Sequence, residues 1–90
     1  MTEMNSCPQP AQEAAFRELA DGGVVLHLGS GQYHGVNTVG ALIWGLMDGS
    51  RTVPQIATAL AELVEQPPGE LESDVAAFVS DLRERGLVAA

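Results

Sequence analysis

Lysine is absent from this sequence, and its only fixed cations are Arg17, Arg51, Arg83 and Arg85. Twelve carboxylates oppose them, giving a formal net charge of −8. A chain without a basic patch repels phosphates, so nucleic acid is not an expected partner, whereas a neutral or basic peptide is. Cysteine occurs once, at Cys7, which rules out an internal disulfide. No cation, helix start or histidine adjoins it in the sequence to activate it as a nucleophile, so no reactive-thiol role is expected. No apolar run approaches the roughly 18 to 20 residues of a membrane-spanning helix. Met1 to Pro10 lacks the basic and apolar regions of a signal peptide, and a cytoplasmic location is expected. The sequence also has no Gly-rich phosphate loop, no Cys-x-x-Cys pair and no nucleophile beside a base, so neither catalysis nor a cofactor is expected. His27 and His34 have no carboxylate or cysteine at ligand spacing, so no metal site is expected.

Ninety residues fit one domain, and a chain this short buries only about 60 % of the surface it would expose unfolded. Hydrophobic residues make up 46 % of it and are spread along its length, which predicts a compact unit rather than a disordered chain. Residues 1–13, with Pro8 and Pro10, read as a flexible tail, and 14–90 as the single domain. Ala15 to Ala20 predicts a weak strand, Asp21-Gly22-Gly23 a hairpin turn and Val24 to Leu28 a strong strand. Gly29-Ser30-Gly31 supplies a second turn and Gln32 to Val36 a third strand, together a three-stranded antiparallel meander.

From Asn37 the apolar period changes from about two to about 3.6. Val39, Leu42, Ile43, Leu46 and Met47 form one helical stripe, which Asn37 or Thr38 can cap and Gly49 can end. Thr52 with Gln55 forms a capping box, with Pro54 in the first turn, opening a second helix striped by Val53, Ile56, Leu60, Leu63 and Val64. Pro67-Pro68-Gly69 stops it. A third helix runs from about Glu70 to Arg85 with Leu71, Val75, Phe78, Val79 and Leu82 on its apolar side. Acids near its start and Arg83 and Arg85 near its end suit the helix dipole, and Gly86 can cap it so that Leu87 and Val88 fold back. The fold class is α+β, winged helix-turn-helix-like: a three-stranded antiparallel sheet followed by three helices, βββααα.

The run from Gly31 through Tyr33-His34-Gly35-Val36-Asn37 and Ile43-Trp44, then Asp48-Gly49-Ser50-Arg51-Thr52, resembles the PqqD-like family, also called RiPP recognition elements. Asp74-Val75, Phe78-Val79, Leu82 and Gly86-Leu87-Val88 fit the same pattern, so the resemblance covers about Phe16 to Val88. It implies a domain whose third strand and third helix flank a groove. There the leader segment of a ribosomally made precursor docks as an added strand. On this resemblance the peptide-binding residues are Leu28, Gln32, Tyr33, His34, Gly35 and Val36, with Asp74, Val75, Phe78, Val79 and Leu82 on the helix. A free-standing copy of this size looks most like the leader-binding protein of a lasso peptide cluster, working beside a leader peptidase and a macrolactam synthetase.

The residues themselves suit that role. The third strand carries no fixed charge and no proline, the features that usually blunt a sheet edge, and is open to strand addition. Gly35 would let a visiting backbone come close. Val75, Phe78, Val79 and Leu82 cannot all face one neighbour, so part of the set is expected in the core and part in the groove. Trp44 reads first as a core anchor, Asn37 as a helix cap and Arg51 as a partner for turn carbonyls. Tyr33 fits both a cross-strand packing role and a binding role. The acids Glu70, Glu72, Asp74, Asp81 and Glu84 read as a mostly solvated face. Two rival readings stand beside this one. A winged-helix DNA-binding regulator needs cations on its recognition helix, yet Glu70 to Arg85 has five acids and two arginines. The other rival is an adaptor for a folded protein.

Overall fold

The computed structural model describes residues 7–89. In chain order its elements are β1 (Gln9–Pro10), β2 (Ala14–Leu19), β3 (Gly22–His27), β4 (Tyr33–Asn37), α1 (Thr38–Leu46), α2 (Val53–Val64), α3 (Pro68–Glu84) and β5 (Val88–Ala89). The expected meander and three helices are present, with β2, β3 and β4 forming one antiparallel sheet in that order. β1 and β5 form a separate two-stranded antiparallel ribbon.

The strands alternate between two faces, as a pleat requires. Phe16, Val25, His34 and Val36 share the inner face and Arg17, Val24, Leu26, Tyr33 and Gly35 the outer one, following the registers Phe16↔Val25↔His34 and Arg17↔Val24↔Gly35. The hydrogen bonds alternate too. His27 N–H donates to Gln32 O at 2.8 Å and Leu28 N–H to Glu13 O at 2.7 Å. Continuing that alternation pairs His34 with Val25 and Val36 with Gly23 through hydrogen bonds, and turns the N–H and C=O of Tyr33, Gly35 and Asn37 away from β3. The second strand therefore ends one residue earlier than expected, at His27, and the third runs from Tyr33 to Asn37.

Local chemistry sets the helix ends. Gly40 N–H donates to Asn37 Oδ1 at 2.8 Å, which makes Asn37 the cap of α1. The Thr52 and Gln55 capping box forms as read. Gly49 does not end α1, which stops at Leu46; at φ 83° it donates its N–H to Pro8 O at 3.0 Å instead. Pro67-Pro68-Gly69 does not stop α2, which ends at Val64 with Glu65 left-handed at φ 56° and Gln66 N–H donating to Ala61 O at 3.2 Å; Pro68 and Gly69 instead open α3, since proline at the first helical position loses no hydrogen bond. Gly86, at φ 77°, closes α3: its N–H reaches Arg83 O at 3.0 Å and Leu87 N–H reaches Leu82 O at 2.9 Å.

The core lies between the inner sheet face and the helices. Val25, Val53, Ile56, Leu60, Val75, Val79 and Leu82 have no exposed surface. Each such side chain contributes on the order of 1.5 to 3 kcal/mol. Trp44 is a core residue, its ring stacked on Phe16 at 5.9 Å between centroids. Arg51 Nη1 donates to Leu46 O at 3.1 Å, satisfying a turn carbonyl as expected.

The segment read as a tail differs from that reading over its described part; residues 1–6 lie outside the described residues. Pro8 is fully buried, Gln9 and Pro10 pair with Ala89 and Val88, and Ala11 N–H donates to Leu87 O at 3.0 Å. Two paired residues carry no periodicity, and a proline-rich stretch reads as unstructured, so nothing in the sequence marks this strap. No helix among the described residues is long and apolar enough to cross a membrane.

Candidate functional site

β2 and β4 are the two borders of the sheet. β2 carries Arg17 and Glu18, charges of the kind that discourage further pairing. β4 reads Tyr-His-Gly-Val-Asn, with no fixed charge and no proline, and among the described residues no strand pairs with its outer side. The chain's own N-terminal strand pairs with β5 instead. β4 thus presents the outward N–H and C=O of Tyr33 and Gly35 and the outward N–H of Asn37 along an uncharged border, the Asn37 C=O being taken up by the first turn of α1.

α3 lies beside that border and runs antiparallel to it. Near its middle the Phe78 ring packs with Val36 around Gly40, because Gly40 lacks the Cβ that would meet both. One turn on, Asp81 Oδ2 stands 3.7 Å from His34 Nε2. At the far end Arg85 joins Gln32, His34 and Leu87 around a recess of ≈ 80 Å³. Asp74, Phe78, Asp81 and Arg85 follow i, i+4, i+7, i+11 spacing and form one stripe of the helix. Arg85 Nε donates to Asp81 Oδ2 at 3.1 Å, an ion pair between half-exposed groups and so worth about 0 to 1 kcal/mol. Such a pair can be rearranged by an incoming polar group at little expense.

Among the residues singled out from the sequence, His34 and Val36 are half-buried and turn toward α3, while Tyr33 and Gly35 are exposed on the outer face. Gln32 precedes β4 and borders the small recess. Phe78 is half-buried and Asp74 exposed on the stripe. Val75, Val79 and Leu82 correct the expectation: with no exposed surface they belong to the core and line no groove. The apolar side of α3 divides so that Phe78 is its one large residue left over for β4. Leu28 is also not brought to the groove. It stands exposed in the turn after β3 and is hydrogen-bonded to Glu13, on the β2 side. Asp81 and Arg85, read as solvated face and dipole partner, stand at the site; their i+3 and i+7 spacing from Phe78 was the available signal.

Larger openings lie elsewhere: one of ≈ 290 Å³ between Phe16 and Glu18 of β2 and Ala41 and Leu42 of α1, and two on the outer face. One of ≈ 490 Å³ is bordered by Leu19, Val24 and Gly35, and another of ≈ 410 Å³ by Ala15, Arg17, Leu26 and Tyr33. The helices leave this face uncovered, and Tyr33 is 76 % exposed on it.

The family described as Coenzyme PQQ synthesis protein D (PqqD) matches residues 22–88. A comparison with curated protein sequences gave no match. Three solved structures share the fold. TbiB1 in complex with the TbiA(beta) leader peptide superposes with a TM-score of 0.79 at 24% identity, covering 91% of this chain and 95% of that one. Lasso peptide synthetase B1 complexed with the leader peptide gives 0.79 at 26%, covering 93% and 99%. The PqqD truncation of Methylobacterium extorquens PqqCD, described as a functional and stand-alone RiPP recognition element, gives 0.80 at 18%, covering 100% and 95%.

Proposed function

Since the chain belongs to the PqqD family, we propose that it is a non-catalytic module that binds the leader segment of a ribosomally made precursor peptide and holds it for partner enzymes. The leader adds to β4 as a fourth strand of the sheet, exchanging hydrogen bonds with the outward N–H and C=O groups of Tyr33 and Gly35 and accepting from the N–H of Asn37. Its inward-facing side chains enter the cleft between β4 and α3. There they meet an apolar pair, Val36 and Phe78, and then a polar end, His34, Asp81 and Arg85. Gln32 and Asp74 mark the two ends of the cleft. Val75, Val79 and Leu82 contribute by fixing α3 at its distance from the strand. The finer reading places the module in lasso peptide assembly, with a leader peptidase and a macrolactam synthetase as the enzymes served.

The observation that carries this reading is the vacant, uncharged border of β4 beside the Phe78 stripe, in a fold shared with two proteins that bind leader peptides. Two or three apolar leader side chains would contribute about 1.5 to 3 kcal/mol each. With the backbone hydrogen bonds of the added strand counted and the ordering of a flexible segment subtracted, a Kd on the order of 1 μM is expected. The test is a titration of the full chain into a fluorescently labelled synthetic leader peptide, taken from any short precursor gene found next to that of this chain. Saturable binding near that Kd is expected; a flat titration would remove the proposal.

A further inference from the structure

The inner face of the sheet already shows how this fold treats a glycine within a strand. Gly23 lies under the ring of Phe16, and a Cβ at Gly23 would collide with that ring. Gly35, the mid-strand glycine of β4, has nothing within 4 Å of where its Cβ would stand. Its empty site lies on the outer face, beside Val24 of β3, and opens into the ≈ 490 Å³ recess. A large side chain laid across a glycine on the neighbouring strand covers exposed backbone and gains apolar contact, so cross-strand aromatics rescue such glycines.

From this we infer that the leader is read on both faces of the strand it adds, and that its residue paired with Gly35 carries a large apolar side chain lying over Gly35 and Val24. The inference rests on the strand-addition reading, because only a strand on the β4 border places a residue opposite Gly35. Paired residues share a face of the sheet. The outer contact is therefore made by the residue between the two whose side chains reach the Phe78 cleft. Tyr33, two positions along and exposed, flanks that side chain and shields it from water. The leader class is thus an extended segment of three successive contact residues, the middle one leucine-sized or aromatic and turned away from α3.

A random dodecapeptide library displayed on phage and panned against the immobilised full chain supplies the probe, and its consensus peptide is then measured by fluorescence anisotropy. The expected consensus has a large apolar residue between two residues whose contribution depends on Phe78. Replacing that middle residue by alanine should weaken binding to the native chain by about tenfold. In the Gly35→Val variant, whose added side chain meets open space and fills the site, the same replacement should change binding by less than about twofold. Equal losses on both chains, or a small middle residue in the consensus, would overturn the inference while leaving strand addition intact. No enriched peptide, or a consensus indifferent to both Phe78→Asp and Gly35→Pro, would overturn strand addition itself and this inference with it.

Discussion

The ring of Phe78 rests on Gly40 so closely that a Cβ there would stand 2.9 Å from its Cε1 and 3.0 Å from the Cβ of Val36. One glycine of α1 therefore sets how near α3 comes to β4. Gly40→Ala gains about 1 kcal/mol of helix propensity, while overpacking costs about 1 to 3 kcal/mol. Net destabilisation of about 1 kcal/mol is expected in a denaturant titration, together with a several-fold loss of leader affinity as Phe78 is pushed aside. A more stable variant with unchanged affinity would show that the contact is slack.

The alternation of hydrogen bonds along β4 makes two adjacent prolines behave differently. His34 N–H faces β3, so His34→Pro breaks the ladder inside the sheet and should lower stability by about 1 to 3 kcal/mol, the cost of leaving its partner carbonyl unsatisfied. Gly35 N–H faces outward, where an edge strand tolerates proline. Gly35→Pro should leave the melting temperature within a few degrees of the native value and abolish leader binding. Comparing thermal melts with anisotropy separates the two. Similar melts for both variants would mean the register is read wrongly.

Phe78 and Val79 are neighbours in sequence with opposite duties. Val79 has no exposed surface, and Val79→Asp would bury an unpaired carboxylate, so the chain should unfold. Phe78 is half-buried at the cleft, and Phe78→Asp should fold, with a stability loss of about 1 to 2 kcal/mol, while leader affinity falls by tenfold or more. Circular dichroism beside the binding titration distinguishes them. A folded, fully binding Phe78→Asp would remove the helix from the site.

Much of this architecture was legible because local chemistry and tertiary packing agree in it. The Gly29-Ser30-Gly31 turn, the Thr52 and Gln55 capping box and the Gly86 cap each act within a few residues, so the sequence displays them directly, whereas Gly22 and Gly23, expected in the first turn, are paired residues of β3 and the turn is Ala20-Asp21. The division of α3 into core and cleft was not legible. Val75, Val79, Leu82 and Phe78 are alike in polarity, and only the placement of α2 and β4 decides which of them faces what. Asp81 looked like one acid among five until the fold set it 3.7 Å from His34. The β1 strap was hidden because its partner lies at the other end of the chain.

Asp48 closes the turn between α1 and α2. Its carboxyl is held below the ordinary value of 3.8, first by the Ser50 hydroxyl and then by the Ser50 N–H, with Arg51 adding to the effect. Because its pKa is depressed in the folded state, its stabilisation is complete well above 3.8 and is lost as pH falls through the folded value. Ser50→Ala removes the hydroxyl donor, so the Asp48 titration followed by carboxyl NMR should shift upward, and less stability should remain to be lost on acidification. A titration curve unmoved by the substitution would show that the Ser50 hydroxyl does not hold the carboxylate.

The strap at the N-terminal end ties the site to the rest of the molecule. Pro8 is buried, its carbonyl accepts from Gly49 N–H, and β1 pairs with β5, the strand that follows the Gly86 turn at the end of α3. Arg85 and Leu87, which border the recess beside His34, sit at that same junction. A chain beginning at Ala11 loses the Pro8 burial, the Gly49 hydrogen bond and the β1 ladder, a destabilisation of about 2 to 3 kcal/mol. That is a large share of the 5 to 15 kcal/mol typical of a domain, so the shortened chain should still fold but melt well below the native one. Freed from β1, the end of α3 should open more readily, raising hydrogen exchange at Gly86, Leu87 and Val88 before it changes at Val75. Leader affinity should drop only a few-fold, because Phe78 and β4 are held by other contacts. If exchange instead rises uniformly along α3, the strap supports the whole core rather than this one corner of the site.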